Sequence, residues 1–130
     1  MKFAIVVHGA PYSSGSAWSA LHFAAAVLRT GHEIYRIFFY HDGVHNGNAL
    51  MAPPQDELDL HEAWVQLAER HQVELVVCIA SCLRRGILDA READRYDKAA
   101  HDLGAAFQIS GLGQLIDAGI NADRIVTFGA

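Results

Sequence analysis

At 130 residues the chain suffices for one domain, residues 1–130, whose core buries about two thirds of the surface exposed by the unfolded form. Hydrophobic residues make up 52% and charged residues 19%, an apolar share beyond what a small monomer's interior needs, which points to a subunit with partner-covered faces. The net charge of −5 excludes a protein that clamps nucleic-acid phosphates with Lys and Arg, so no direct nucleic-acid contact is expected.

Phe3 to Val7 is a continuous apolar run ended by His8-Gly9-Ala10-Pro11, which predicts a strand buried on both faces and running into a loop. The run is too short for a signal peptide, and no later stretch approaches the roughly 20 apolar residues of a membrane span. A cytoplasmic protein is expected, with no membrane segment. Gly9 to Ser16 stands where a mononucleotide phosphate loop belongs, but it lacks the dinucleotide fingerprint and the Lys-Ser/Thr ending of a P-loop. It reads as a connection in which Ser16 caps a helix. Along that helix Ala17, Ala20, Leu21, Ala24, Ala25 and Leu28 recur at three- and four-residue spacing until Gly31 stops it.

Ile34 to Tyr40, rich in aromatic and β-branched residues, predicts the second strand. A long loop from His41 to Gln55 follows, carrying Gly43, Gly47, Pro53 and Pro54; loops of that length in small domains usually carry function. His41 and His45 are the closest pair for a metal ion, but no third ligand stands at compatible spacing and no metal is expected. Asp56 is the expected cap of a helix reaching about His71, with Leu60, Ala63, Trp64, Leu67 and Ala68 on one face. Val73 to Ala80 is the third strand. Trp18, Trp64 and Phe38-Phe39-Tyr40 read as packing or interface residues.

Beyond Ser81-Cys82-Leu83-Arg84-Arg85-Gly86, Asp89 with Glu92 three residues on marks another helix start. Phe107 to Ile109 is a short strand, Ser110 caps a helix carrying Leu112, Leu115 and Ile116, and Arg124 to Phe128 is the last strand. The alternation predicts a single-domain α/β fold, a parallel doubly wound sheet of about five strands with helices on both faces. Sites in such sheets gather at the carboxyl ends of strands, which singles out the loops after Val7, Tyr40 and Ala80.

Two cysteines are too few for a disulfide framework and supply no zinc site by themselves, which leaves burial or reactivity. Cys78 stands near the end of the predicted third strand, where a cysteine is commonly a small core hydrophobe. If a helix or turn begins near Ser81, its free N–H groups, together with Arg84 and Arg85, favour a thiolate nucleophile instead. Cys82, four residues on, is either a resolving thiol one helical turn away or a packed core residue. The segment Cys78 to Arg84 also fits the pattern of a cysteine, five residues and an arginine used by thiol phosphatases. It lacks the glycines that turn successive N–H groups toward a phosphate, so this remains the minor reading.

Several blocks fall in the order they take in the DsrE/TusD family of sulfur-relay proteins, which the chain resembles from Met1 to Phe128. They are Phe3-Ala4-Ile5-Val6-Val7, Phe38-Phe39-Tyr40 with Gly43-Val44 and Asn46, Asp56 to Trp64, Cys78 with Leu83-Arg84-Arg85-Gly86, and Ser110-Gly111-Leu112-Gly113. The resemblance implies a DsrE-like fold and a sulfurtransferase subunit in which Cys78, at the family's sulfur-bearing position, is catalytic and carries sulfane sulfur as a persulfide. It further implies a heterohexamer with two related small subunits, upstream and downstream sulfur-carrier proteins, and 2-thiolation of the tRNA wobble uridine as the destination. Sulfur carriage in dissimilatory sulfur oxidation is the alternative destination, and a noncatalytic scaffold subunit a lesser alternative. Cys82 lies outside the family motif, so no role is carried over to it. Persulfide exchange requires a tuned thiolate and no organic cofactor. Arg84, Arg85 and nearby N–H groups are the candidates for steadying the anion, and the His41 to Gln55 loop for gating partners.

Overall fold

The computed structural model describes residues 1–129. Five strands, β1 (Lys2–Val7), β2 (Glu33–Phe39), β3 (Leu75–Cys78), β4 (Phe107–Ser110) and β5 (Arg124–Phe128), make one sheet in the order β4-β3-β2-β1-β5. Every neighbouring pair is parallel. Five α-helices connect them: α1 (Ser16–Arg29), α2 (Leu60–His71), α3 (Ile79–Arg85), α4 (Ala90–Arg95) and α5 (Gly113–Asn121). The doubly wound α/β architecture read from the sequence is therefore the observed one. Strands β1 to β4 step outward in one direction, and α5 then carries the chain back across to the far side of β1. Right-handed crossovers put a return of that kind on the opposite face of the sheet.

Side chains alternate faces along each strand. Ile5, Val7, Ile37, Phe39, Leu75 and Val77 point toward α1 and α2, where they meet Ala17, Ala20, Leu21 and Ala24 from one helix and Leu60, Trp64 and Ala68 from the other. Small residues on α1 let its backbone approach the sheet closely. The intervening residues Phe38, Val76 and Cys78 form a second, smaller cluster on the α5 face, with Tyr40 and Leu115 packed against it. No helix among the described residues is long and apolar enough to cross a membrane.

Several element ends differ from expectation. Strand β3 stops at Cys78, and Ile79 and Ala80 already belong to α3, so strand passes into helix with no loop between. Asp59, not Asp56, caps α2; its carboxylate accepts the Glu62 N–H at 3.1 Å. Tyr12 fixes that start, because its hydroxyl accepts the Leu60 N–H and donates to the Leu58 carbonyl, leaving Asp56 in the preceding turn. Gly15 occupies the cap of α1 and Ser16 is its first residue, with the Ser14 hydroxyl accepting the Ser16 N–H. Ser110 ends β4 and leaves the cap of α5 to Leu112. In both cases the predicted cap has been taken into the neighbouring element.

The long connection after β2 also begins as structure. His41–Gly47 is a 3₁₀ helix with Gly43, Val44, Asn46 and Gly47 buried. Gly43 is required there, since a Cβ would collide with the Val7 carbonyl oxygen at the end of β1.

Candidate functional site

The sheet register assembles the site. Val7 lies opposite Phe39, and Phe39 opposite Val77, so the next residues, His8, Tyr40 and Cys78, fall in line at the carboxyl edge. Cys78 in turn pairs with Ser110 of β4. Neighbouring strands lie about 4.8 Å apart, so Tyr40 is the immediate neighbour of Cys78 on one side and Ser110 on the other. Cys78 is only 2% exposed, bounded by Phe38, Val76, Tyr40 and Leu115. It also holds the N-cap position of α3 in extended conformation and makes no side-chain cap bond. The first-turn N–H groups of α3 lack intrahelical partners, as at every helix start, and they open beside the cysteine.

Cys82 goes elsewhere. The strand ends at Cys78, so the four-residue spacing does not run along one helical face, and Cys82 joins the α1–α2 core while Cys78 joins the α5 cluster. Cys82 is fully buried. Burial first, then the nearby Cys78, Asp102 and Asp89, push its thiol up to about 12, which keeps it protonated and unreactive at ordinary pH.

Arg84 and Arg85 part company in the same way. Arg85 donates from Nε to the Asp42 carboxylate at 2.7 Å and from Nη1 to the Ser81 carbonyl at 3.2 Å. The bond from Arg85 holds the Asp42 carboxyl below its usual value. This cation therefore tethers the 3₁₀ helix to α3, while Arg84 is exposed and belongs to none of the ion pairs among the described residues. The segment Cys78 to Arg84 runs as strand end and helix, not as a loop that could wrap a phosphate.

Three residues surround the mouth of the site: His8 and Tyr40, which the sequence did not assign to it, and His41, the first residue of the loop expected to gate partners. His41 adopts a left-handed backbone (φ 50°), and its N–H donates to the Ser81 hydroxyl at 3.0 Å. Its ring stacks on Tyr40 with centroids 4.1 Å apart and meets His8 edge-on at 5.2 Å. Tyr40 also meets His8 edge-on at 5.7 Å and Phe38 at 6.0 Å. Aromatic contacts of this kind contribute about 0.5–1.5 kcal/mol each beyond area burial. Burial, reinforced by His41, lowers the His8 pKa. The sequence-matched pair His41 and His45 is divided: His41 covers Tyr40, whereas His45 lines a separate cleft with Asp42 and Asn48.

Asn46 locks these loops together. Its amide donates to the carbonyls of Gly9 (3.1 Å) and Gly43 (2.8 Å), and its side-chain oxygen accepts the Trp64 indole N–H at 3.1 Å. Fully buried and fully satisfied, it fixes the loop after β1 against the loop after β2 and both against α2. One signal of that role was present in the sequence, an Asn within a Gly-rich turn placed just after an aromatic strand.

Comparison with known proteins places the chain. The DsrE/DsrF-like family model matches residues 1–128. The chain belongs to the DsrE/DsrF-like family. It is 52% identical to the sulfurtransferase TusD homolog of Pseudomonas aeruginosa over 99% of this chain and 98% of that protein. Identity is 50% with a DsrE protein of Allochromatium vinosum, over 99% of each chain, and 45% with the sulfurtransferase TusD of Sodalis glossinidius, over 98% of each. The crystal structure of the ychN protein from E. coli superposes with a TM-score of 0.79 at 23% identity, covering 98% of this chain and 99% of that one, a likeness of fold. The family and the sulfurtransferase activity read from the sequence agree with these relatives.

Proposed function

We infer that the protein is a sulfur-relay sulfurtransferase in which Cys78 carries the transferred sulfur as a persulfide. The observation that carries the reading is the position of Cys78, at the carboxyl edge of a parallel sheet and the start of α3, in a chain 52% identical to a TusD homolog. The Cys78 thiolate attacks the outer sulfur of a donor persulfide; a new S–S bond forms on Cys78, the donor's S–S bond breaks, and the donor leaves as a thiolate with the bonding electrons. In the second half an acceptor thiolate attacks the outer sulfur on Cys78 and frees the Cys78 thiolate. No oxidant, metal or organic cofactor enters. First-turn N–H groups of α3 are the donors available to the bound persulfide anion, with Arg84 as the unpaired cation nearby in sequence. Cys82 acts as packing.

The partners are two related small subunits in a heterohexamer, flanked by donor and acceptor carriers. Supporting an assembly, Leu112, Ile116 and Ile120 recur every four residues along α5, with Ile116 64% and Ile120 77% exposed. Ile125, on the edge strand β5, is exposed as well. A stripe of that kind on a small chain fits a covered interface. Persulfide traffic through free thiols fits a reducing cytoplasm. The destination that the TusD relatives favour is the 2-thiouridine of the tRNA wobble position. The 50% identity to a DsrE protein favours dissimilatory sulfur oxidation as the second reading.

Two measurements test this. Intact mass after exposure to polysulfide gains one sulfur in the wild-type chain and none in Cys78→Ser; an adduct retained by the variant overturns the assignment. In a strain lacking the gene, tRNA loses 2-thiouridine, and the wild-type chain restores it whereas Cys78→Ser does not. Unchanged 2-thiouridine removes the tRNA destination and leaves the oxidation reading.

A further inference from the structure

A sulfur that must meet a partner's sulfur lies 2% exposed, so something over Cys78 has to move. Two of its neighbours, Phe38 and Val76, are sheet residues buried beneath the surface and have nowhere to go. The two half-covered ones are Leu115 and Tyr40. Leu115 is pinned through its helix: the buried Arg36 donates from Nη1 to the Gln114 carbonyl and to the Asp117 carboxylate, both at 2.8 Å, and pairs with Glu74 at 3.1 Å. Those anchors flank Leu115 on both sides and tie α5 to β2 and to Glu74, the residue before β3.

Tyr40 has no comparable anchor. Its backbone is fixed, the N–H donating to the Val7 carbonyl at 2.9 Å and the carbonyl accepting the Gly43 N–H at 2.8 Å. Its hydroxyl, however, makes no hydrogen bond among the described residues, so the side chain is held by packing and ring contacts, with His41 stacked on one face and His8 and Phe38 meeting it edge-on. His41 itself is held in its left-handed conformation by the Ser81 hydroxyl, one helical turn or less from Cys78 on α3. Apart from Phe38, a buried residue of β2, the rings that fix the Tyr40 side chain therefore belong to the loops after β1 and β2, at the edge where a partner must approach, whereas the groups that fix Leu115 lie inside the fold.

We propose that Tyr40 is the movable cover of the Cys78 sulfur and that His8 and His41 are its latch. An arriving carrier takes over the imidazole contacts on Tyr40, the ring turns outward about χ1, and Sγ becomes accessible along the carboxyl edge. Tyr40 is thus a positioning residue for sulfur transfer, acting through the accessibility of Cys78 and not through its chemistry. The proposal rests on Cys78 being the sulfur-bearing residue, but its test needs no sulfur donor, so either idea can fail while the other stands.

The test is the rate of iodoacetamide labelling of each cysteine in the full chain at pH 8, mapped by peptide mass. In the wild type Cys78 is labelled slowly and Cys82 not at all. Tyr40→Ala speeds labelling of Cys78 at least tenfold with Cys82 still unlabelled, and Tyr40→Phe keeps the wild-type rate because the ring is the cover. His41→Ala, the milder change, leaves the ring and releases the latch, and raises the Cys78 rate about threefold to tenfold. A Cys78 rate within twofold of wild type in both Tyr40→Ala and His41→Ala overturns the proposal. So does a rise at Cys78 matched by a rise at Cys82, which reports general loosening of the fold.

Discussion

On the α1–α2 side of the sheet, buried side chains from four strands interlock with two amphipathic helices around Trp64, and the buried amide of Asn46 beside it has its hydrogen bonds satisfied. The α5 side is thinner: Phe38, Val76 and Cys78 are the fully covered residues of its cluster, and a buried arginine anchors the helix above them. One face holds most of the buried core, and the other keeps Cys78, the proposed sulfur carrier, under a light covering. The division places each cysteine. Cys82 on the first face is a core residue with a thiol pushed up to about 12, and Cys78 on the second ends β3 at the carboxyl edge of the sheet.

The sharpest way to break this contrast is to truncate one fully buried side chain on each face, a large one on the first and a small one on the second. Trp64→Ala deletes a large, fully buried ring and leaves the Asn46 side-chain oxygen without its donor, so it costs about 3–5 kcal/mol in urea unfolding. Val76→Ala on the α5 face costs about 2 kcal/mol. Equal losses would mean that the second face carries as much of the stability as the first.

A pH titration of stability sharpens the same point. The Cys82 thiol titrates near 9.0 when unfolded and near 12 when folded, so below pH 9 it is protonated in both states and contributes no pH dependence. Between those values the unfolded chain releases the proton and the folded one does not, so unfolding gains up to about 1.4 kcal/mol per pH unit. Stability falls as pH rises through that window. Cys82→Ala removes this part of the slope, amounting to about 2 kcal/mol by pH 10.5 when its melting curve is compared with wild type.

A smaller effect is expected at Arg36. Its charge is maintained although burial works against it, because bonds to Asp117 and Glu74 outweigh that penalty and raise its pKa. Arg36→Met keeps the stem and removes the guanidinium. Glu74 and Asp117 are 37% and 44% exposed, so water takes over much of their solvation. The cost is then about 1–2 kcal/mol, below the 3–5 kcal/mol of a fully buried pair left half broken. Because α5 is what this arginine anchors, hydrogen exchange in Gly113–Asn121 quickens while that of α1 does not.

How far each part could be read beforehand follows the range of the forces involved. Apolar runs and helical spacing are local, and the five strands with their parallel arrangement were legible from them. Helix starts were less so, because Asp56, Ser16 and Ser110 are all good caps locally. The choice among neighbours was made by distant partners, such as Tyr12 reaching 46 residues on to Leu58. The site divides in the same way. Cys78 at a strand end was visible, and its assignment came from family blocks. The row His8, Tyr40, Cys78 exists only through the register of three strands, which no single segment encodes. Arg85 looked available as a cation beside the cysteine because sequence does not reveal that Asp42, 43 residues earlier, occupies it.

The smallest stability effect is predicted where the functional loss is total. Cys78→Ala removes one sulfur from a cluster of three covered residues whose other walls, Tyr40 and Leu115, are themselves half exposed and can close over the space. Cavity costs fall when a site can collapse, so unfolding should shift by less than about 1 kcal/mol. Polysulfide loading should vanish in the same protein. A loss of 2 kcal/mol or more in urea unfolding would show that Cys78 is a packing residue as much as a carrier. The base rate for cysteines in buried strands would then describe it better than the lightly covered nucleophile that its place on the α5 face implies.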